Sequence, residues 1–259
     1  MSLADIRFTL LKKIQIRKTN RLNDLLIKMY PDTFDCRILD VTDVPAVHRT
    51  VDEAFKEHGR IDIVVSNAGY GLFGAAEELS DGEIDHIVAT DLVGSIQFIR
   101  SALPHMRAQG GGRIIQISSY GGQVAYPANS MYHACKFGIE GFCESVAQEV
   151  ARFGIGMTIV EPGGARTEFR YGSAKVAKLI PEYDHIHGFL NMLDPTKGLA
   201  PADPVKMAER IIESVDKNPA PLRLVLGSAA LKATIKRLEE RIADYKTQTA
   251  LAASTDITE

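Results

Sequence analysis

The sequence predicts an α/β fold with a mostly parallel sheet covered by helices on both faces, because strand-like and helix-like segments alternate along the chain. The strand-like segments are continuous apolar, β-branched runs, a pattern typical of strands buried on both faces. They are "CRILDV", "RIDIVVSN", "GRIIQISS", "GMTIVEPG" and "LRLVLG", which begin at Cys36, Arg60, Gly112, Gly156 and Leu222. No linker rich in Pro, Gly or Ser divides the 259 residues, so a single domain is expected over 1–259.

Helices are predicted between these strands over residues 44–58, 80–106 and 130–153, and a last one over 229–246. Alternating strands and helices imply right-handed βαβ crossovers. Residues 164–204 break the rhythm with several Gly and Pro residues and weak periodicity, which is typical of a lid or binding loop. We therefore expect 165–204 to be a variable substrate loop and 247–259 to fray.

Composition narrows the possible partners. The formal charge of −3 is small and both signs are interspersed, which argues against binding to nucleic acid or to a membrane surface. No apolar run reaches the roughly 18 residues of a membrane span. The three cysteines, Cys36, Cys135 and Cys143, are too few for a disulfide framework and favour a reducing compartment. A cytoplasmic location is expected.

The segment "SSYGGQVAYPANSMYHACK" holds the residues with a chemical interpretation. Tyr132 and Lys136 stand four apart in a helical pattern, so their side chains share one face. A phenol has an ordinary pKa of about 10, and a neighbouring ammonium could lower it by about three units, or roughly 4 kcal/mol. Ser119 ends a predicted strand, where its hydroxyl could hydrogen-bond a substrate carbonyl beside the phenol. Taken alone, a Tyr–Lys pair on a helix more often marks a solvated face.

Several further motifs fall in order around this pair. They are "LDVTD" at Leu39, "SNAG" at Ser66, "ISS" at Ile117, "YHACK" at Tyr132 and "EPGGART" at Glu161. With them the chain resembles the classical short-chain dehydrogenase/reductase family from about Arg17 to Arg223. The resemblance implies a doubly wound Rossmann-like fold, a nicotinamide dinucleotide and hydride transfer between an alcohol and a carbonyl. It also implies a homodimer or homotetramer.

The resemblance implies a role for each matching residue. Tyr132 would be the general acid/base, Lys136 would lower its pKa and bind the nicotinamide ribose, and Ser119 would orient the substrate carbonyl. The remaining positions would bind the cofactor: Asp40 and Val41 at the adenine ring, Asn67, Ala68 and Gly69 after a strand, and Pro162, Gly163 and Thr167 at the nicotinamide carboxamide.

Asp91 in "ATDLVGSIQF" departs from the family, which usually has asparagine there as part of a proton relay. An ionised aspartate cannot donate a hydrogen bond, although it can accept one from Lys136 or from water. Its charge could also raise the pKa of Tyr132. We expect this change to reduce proton transfer without abolishing it.

The start of the chain is the second departure, because no glycine precedes Gly59. The family's first strand, its T-G-x-x-x-G-x-G turn and the following helix, which meet the pyrophosphate, are therefore apparently missing. "IQIRK" resembles the family's second strand, and "DIRFTLL" before it could form an antiparallel hairpin strand or an irregular or helical start. Arg17 and Lys18 would favour NADP over NAD, or would be a surface basic pair.

These observations favour an NAD(P)-dependent oxidoreductase acting on an apolar alcohol or carbonyl, with NADP preferred. The alternative is a catalytically impaired relative or truncated product that serves as a binding or oligomer scaffold. A hydrolase is disfavoured because Ser119 lacks a Gly-x-Ser-x-Gly context. His185 and His187 lack partners with metal-ligand spacing, so no metal is expected. Candidate apolar pocket residues lie in the variable loop: Phe169, Tyr171, Ile186, Phe189, Leu190 and Met192.

Overall fold

The computed structural model describes residues 13–16, 28–29 and 35–257. In chain order the described strands are β1 (Lys13–Ile16), β2 (Asp35–Ile38), β3 (Ile63–Ser66), β4 (Leu72–Phe73), β5 (Gly112–Ile117), β6 (Ile155–Pro162), β7 (Lys175–Val176) and β8 (Arg223–Leu226). The helices between and after them are α1 (Val44–His58), α2 (Asp81–Ile87), α3 (Ser95–Ala108), α4 (Ser130–Val150), α5 (Glu168–Tyr171), α6 (Asp184–His187), α7 (Pro204–Val215), α8 (Ser228–Thr247) and α9 (Thr249–Ala253).

The central sheet contains four parallel strands in the order β3-β5-β6-β8. Its two faces are covered by different helices. Ile114, Met157 and Ile159 pack with residues of α1, α3 and α4 on one face. Ile115 and Val160 pack with residues of α7 on the other face. The predicted α/β fold with helices on both faces of a parallel sheet is thereby confirmed.

β1 and β2 form a separate parallel pair, with Ile14 opposite Cys36. "IQIRK" was predicted to contain a strand, and β1 occupies its first three residues. Within the described residues, no strand pairs with the edge of β3 that faces away from β5. Apolar side chains are exposed on β2 and on β3: Ile38 of β2 is 66% exposed and Val65 of β3 is 47% exposed. The hairpin considered for "DIRFTLL", and the proposed loss of the family's first strand–helix unit, concern residues outside those described.

The prediction of one regular helix over 80–106 was wrong in detail. Ser80 caps α2 and exchanges hydrogen bonds with Glu83, whose carboxylate accepts from the Ser80 amide at 2.9 Å. A π-helical segment, Val88–Gly94, then separates α2 from α3. Such wide turns are rare and occur often at functional sites. This one carries Asp91 into the protein interior, where the residue is fully buried.

The two irregular regions contain short elements. The variable loop holds α5, β7 and α6, and β7 pairs in parallel with β4. The last long helix, α8, matches its predicted extent to within a residue at each end. The tail expected to fray contains α9, whose residues are all exposed.

The difference in burial between the two faces of β3 can be tested with a matched pair of substitutions. Val64→Ala removes a side chain buried in the core, so we expect a loss of about 2 kcal/mol in the free energy of unfolding. Val65→Ala changes the next side chain, which points to the other face and is about half exposed, so we expect a loss of about 0.5 kcal/mol. Urea unfolding of both variants measures the difference, and equal losses would contradict the arrangement described.

Candidate active site

The candidate site lies where the parallel strands end, because the loops that follow them carry most of the residues singled out from the sequence. Asp40 and Val41 follow β2, Asn67 follows β3, and Ser119 follows β5. Pro162 is the last residue of β6, and Gly163 continues from it with its amide donating to the Leu226 carbonyl at 2.8 Å. Ligands of open α/β sheets bind in the crevice outside these carboxyl ends.

Tyr132 and Lys136 lie on the buried face of α4, exposed by only 8% and 4%. The Lys136 ammonium is 5.4 Å from the centre of the Tyr132 ring. Its Nζ atom lies 3.6 Å from Oδ2 of Asp91, and both side chains are buried. The alternative interpretation, that this Tyr–Lys pair lies on a solvated helix face, was therefore wrong. The three side chains form one electrostatic unit, here called the Tyr132–Lys136–Asp91 group.

Asp91 is held in place by contacts on two sides. Its Oδ1 accepts a hydrogen bond from the Tyr70 amide at 3.0 Å, and a Cβ atom added to Gly69 would come within 2.8 Å of Oδ2. Only glycine therefore fits beside this carboxylate. Burial raises the pKa of Asp91 to about 6, although Lys136 and the Tyr70 amide act to lower it.

Burial also dominates the pKa of the Tyr132 phenol, which is raised above its ordinary value. Lys136 and the hydroxyl of Ser119 lower this pKa, as the sequence predicted for the lysine, and Asp91 raises it. The expected net lowering of the Tyr132 pKa is thus not found in this structure. Desolvation by the apolar walls and the negative charge of Asp91 raise the Tyr132 pKa by more than the Lys136 ammonium lowers it.

Ser119 places a buried hydroxyl next to the phenol. Its backbone is extended, with φ at −166°, and its Oγ accepts a hydrogen bond from the Gly121 amide at 3.0 Å. That contact uses a lone pair of the oxygen and leaves the O–H available as a donor. Ser119 and Tyr132 can therefore both direct O–H groups at one acceptor.

The residues expected to bind the cofactor differ in how they are placed. Asn67 and Ala68 are exposed, whereas Asp40, Val41, Gly163 and Thr167 are half-buried. Asp40 uses Oδ1 to accept from the Thr42 amide and hydroxyl, which fixes the turn after β2. Arg17 and Lys18 lie outside the described residues, so their predicted role stays a prediction.

A Gly-x-Gly-x-x-Gly run occurs at Gly69, Gly71 and Gly74, but its context differs from that of a phosphate-binding turn. The run contains β4, beside which the Gly71 carbonyl accepts from the Lys175 amide at 2.8 Å, and it is followed by a three-residue 3-10 turn, Ala76–Glu78, and not by a long helix. A Cβ atom on Gly74 would come within 2.8 Å of the Ala177 side chain, so that glycine serves close packing. The run does not form a cradle for a pyrophosphate.

Comparisons with known proteins agree with this geometry. The sequence model of the short chain dehydrogenase family matches residues 12–176. The chain belongs to the short-chain dehydrogenase family. It is 34% identical over 224 residues to Oxidoreductase BOA17 of Botryotinia fuckeliana, covering 86% of this chain and 82% of that protein.

Solved structures extend the same relationship. A short-chain dehydrogenase from Streptomyces avermitilis superposes with a TM-score of 0.86 at 34% identity, over 94% of this chain and 90% of that one. A metagenomic short-chain oxidoreductase in complex with NADP superposes with a TM-score of 0.55 at 26% identity, over 59% of this chain and 70% of that one. The chain is thus an oxidoreductase-family member with the family's α/β fold.

The variable loop of this family member closes over the candidate site with aromatic side chains. The Phe169 ring lies 5.8 Å from the Tyr132 ring, and the Phe189 ring lies 6.1 Å from that of Tyr126. All the apolar loop residues expected from the sequence are half-buried: Phe169, Tyr171, Ile186, Phe189, Leu190 and Met192. The loop therefore places apolar side chains beside Tyr132 and Tyr126, and it is called the lid below.

A buried carboxylate fixes the lid to the body of the domain, and sequence reasoning missed it. Glu78 accepts hydrogen bonds from the Ala75 amide at 2.6 Å, the Ile180 amide at 2.9 Å and Nε2 of His187 at 2.7 Å. Burial alone would raise the pKa of Glu78, but these hydrogen bonds outweigh it and lower the pKa below its ordinary value. Glu78 stands directly after Glu77 in the sequence, and no local signal separates the buried carboxylate from its exposed neighbour.

His187 thus has a structural partner, and His185 stacks on the Tyr183 ring at 6.2 Å. Among the residues that the structure describes, no group of three or more His, Cys, Asp or Glu side chains could hold a metal ion. In the same part of the chain, every helix is too short or too polar to cross a membrane.

The Glu78 anchor predicts a specific effect on the lid. In Glu78→Gln one oxygen becomes an NH2 donor that faces the donors already present, so the contacts to Ala75 and Ile180 cannot both persist. We expect hydrogen exchange at the Ile180 amide to be about ten-fold faster. In the unsubstituted protein the carboxylate stabilises the lid above about pH 4.5, and this stability is lost as the pH falls through the lowered pKa.

Glu77→Gln is the matched control, because the neighbouring Glu77 is exposed and accepts only from the Tyr183 hydroxyl among the hydrogen bonds found for it. Hydrogen exchange followed by mass spectrometry measures both variants. Equal exchange at Ile180 in the two variants would show that Glu78 does not fix the lid.

Proposed function

We propose that this chain is an NAD(P)-dependent oxidoreductase that transfers a hydride between a nicotinamide cofactor and an apolar alcohol or carbonyl. In this proposal Tyr132 is the proton donor and acceptor, Lys136 sets its charge environment, and Ser119 holds the carbonyl oxygen. The observation that carries the proposal is the burial of Tyr132 and Lys136 on one helix face beside the Ser119 hydroxyl, at the carboxyl ends of the strands.

The residues at the nicotinamide end fit a bound dinucleotide. Lys136 has one charged neighbour at 3.6 Å, and Oδ2 of Asp91 is buried without a hydrogen bond, so both side chains keep capacity for a ribose hydroxyl or a water. The carboxamide would be held by Pro162, Gly163 and Thr167. After β3 come Asn67, Ala68 and Gly69, mostly small residues that would let the cofactor approach the backbone. Asp40 and Val41 would border the adenine. When bound, the cofactor supplies or accepts the hydride.

Proton transfer is the step that this chain's own residues perform. Because burial raises the pKa of Tyr132, its phenol is protonated near neutral pH and is ready to donate. A substrate carbonyl oxygen that accepts from Ser119 would receive the Tyr132 proton as negative charge develops on it. Lys136 stabilises the phenolate that remains. The charge state thus favours carbonyl reduction near neutral pH, and alcohol oxidation needs a more alkaline medium.

NADP is the preferred cofactor in this proposal. The related metagenomic short-chain oxidoreductase was solved in complex with NADP, which supports the choice by relationship. Arg17 and Lys18 come directly after β1, where two cations could pair with a 2′-phosphate. The half-buried aromatic side chains of the lid support an apolar substrate.

A catalytically silent scaffold is the second candidate function. It is favoured by one observation, which is that burial and the Asp91 carboxylate raise the pKa of Tyr132 instead of lowering it. Both candidates are compatible with a homodimer or homotetramer, which we propose from the family alone. We also propose a cytoplasmic location, and the buried thiols of Cys135 and Cys143 fit a reducing compartment.

Titration of the purified protein with NADPH distinguishes the two candidates. We expect saturable binding and NADPH-dependent reduction of apolar ketones. Tyr132→Phe should lower kcat about 100-fold or more, because the proton donor is lost, while NADPH affinity changes less than about two-fold. The control is Tyr245→Phe, which removes an exposed hydroxyl from α8. Absence of binding to NADPH and NADH at millimolar concentration would favour the scaffold.

Asp91→Asn tests the proposed influence of this carboxylate on the phenol. Removing its negative charge should lower the pKa of Tyr132, since the anion raises it. We expect the alkaline midpoint of the kcat/KM profile for alcohol oxidation to move down by about one pH unit. Asp85→Asn changes an exposed aspartate of α2 and should leave the profile unchanged. An unchanged or upward-shifted midpoint in Asp91→Asn would contradict this role.

A further inference from the structure

Behind the candidate site lies a second cluster of charged groups that the proposed mechanism does not use. Glu140 of α4 and Glu161 of β6 are 2% and 0% exposed. Glu140 lies one helical turn beyond Lys136 on the same face, and Glu161 directly precedes Pro162. Arg223, at the start of β8, lies beside both carboxylates, with its Nε 3.1 Å from Glu161 and 3.7 Å from Glu140.

Arg223 and the two buried carboxylates carry a net charge of −1 unless one of the carboxyl groups is protonated. Arg223 is the cation that pairs with the two carboxylates, and its Nη2 also donates to the exposed Glu144 at 3.0 Å. One guanidinium is therefore shared among three carboxylates. Burying two adjacent anions beside a single divided cation would carry a large desolvation penalty. A proton retained between Glu140 and Glu161 removes that penalty.

Hydrogen bonding shows where the proton belongs. Glu140 accepts from the Ser118 hydroxyl at 2.7 Å and from the side-chain amide of Gln123. Both oxygens of Glu161 are buried, and the donor beside them is the Arg223 Nε at 3.1 Å, an ion pair that lacks the alignment of a hydrogen bond. A protonated Glu161 can instead donate to Glu140, since the two carboxyl groups are within hydrogen-bonding reach. Glu140 is then the acceptor and Glu161 the acid.

The cluster connects two turns of the candidate site. The Ser118 hydroxyl bound to Glu140 precedes Ser119, and the Ser118 amide donates to the Val160 carbonyl at 2.8 Å. Glu161 leads into Pro162 and Gly163. We propose that Glu140 and Glu161 hold a single proton between them, and that this protonated pair is a positioning element that fixes the Ser119 turn against the Pro162 turn. What those turns do rests on the proposed function, but the shared proton does not.

The direction of the pH dependence follows from the two acidities. Burial raises the pKa of Glu161 to about 7, and burial also raises the pKa of Glu140. A carboxyl group with a raised pKa in the folded protein contributes stability below its unfolded value near 4.5, and loses it as the pH rises to about 7. Above that pH two adjacent anions repel each other and the two turns separate.

Other titratable and charged groups face the pair and define what a test must hold constant. Lys136, Cys143 and Glu144 lie on α4, Arg223 lies on β8, and Arg241 of α8 donates to the Gln123 carbonyl at 3.3 Å. Asp91, with its pKa of about 6, titrates in the same range but belongs to the other cluster. A substitution confined to Glu161 leaves all of these groups in place.

Glu161→Gln is the decisive variant, because its amide keeps the shape and the donor but cannot lose a proton. Between about pH 5 and 8 the unsubstituted protein should lose thermal stability, and Glu161→Gln should lose clearly less. Infrared difference spectra at about pH 6 should show a protonated carboxyl band that disappears in Glu161→Gln. The control is Glu144→Gln, which removes the exposed partner of Arg223 and should retain both the slope and the band.

Dinucleotide binding tests the positioning role separately. The Kd for NADPH of the unsubstituted protein should rise about ten-fold from pH 6 to pH 8, and that of Glu161→Gln less than about two-fold. An unchanged stability slope together with an unchanged carboxyl band would overturn the shared proton. If the band is lost but both proteins show the same pH dependence of NADPH binding, the positioning role is overturned. If Glu161→Gln does not fold, Glu140→Gln provides the same two readouts.

Absence of NADPH binding in every variant would overturn the proposed function and the positioning role. The shared proton would then still be tested by the infrared carboxyl band and by the pH dependence of thermal stability, because neither measurement needs cofactor or substrate.

Discussion

The buried ammonium of Lys136 is the interaction on which the candidate site depends. It lies between a phenol that must change its protonation state and a carboxylate that has no hydrogen bond on one oxygen. Without the ammonium, Asp91 would be an unpaired buried anion, which a protein interior does not tolerate and which would be neutralised by protonation. The wide π-helical turn carries Asp91 inward, and Gly69 leaves room for its carboxylate, so both accommodate this pairing.

Two clusters of carboxyl groups surround the strand ends and have opposite responses to pH. Glu78 receives three hydrogen bonds, has a lowered pKa and anchors the lid as an anion. Glu161 shares the Arg223 guanidinium with two other carboxylates and has a raised pKa. The supply of donors therefore decides whether a buried carboxyl is a charged anchor or a proton carrier. Glu78 receives amides from two loop segments, whereas Glu161 lies at the end of β6 beside a second carboxyl group.

Much of the fold followed from local patterns in the sequence. The continuous apolar runs gave β3, β5, β6 and β8, because strands covered on both faces have no polar alternation. The spacing of Tyr132 and Lys136 placed both on one face of α4. Local pattern could not place the π-helical turn within 80–106, because a helix with one wider turn has nearly the same periodicity. Nor could it show the net pKa of Tyr132, which depends on apolar walls contributed by distant segments.

The clusters around Glu78 and Glu161 were invisible to sequence reasoning for a related reason. Their partners lie far along the chain, as Glu78 and Ile180 do, and only the folded topology brings them together. Glu140 could have been noticed, since it stands four residues after Lys136 and eight after Tyr132 on the same face.

The charge of Lys136 opposes burial in setting the acidity of Tyr132. Ultraviolet titration, taken as the difference between each protein and its Tyr132→Phe derivative, isolates the ionisation of this one phenol. In Lys136→Met we expect a Tyr132 pKa more than about one unit higher than in the unsubstituted protein, because the lowering charge is gone. An identical pKa in the two proteins would contradict it.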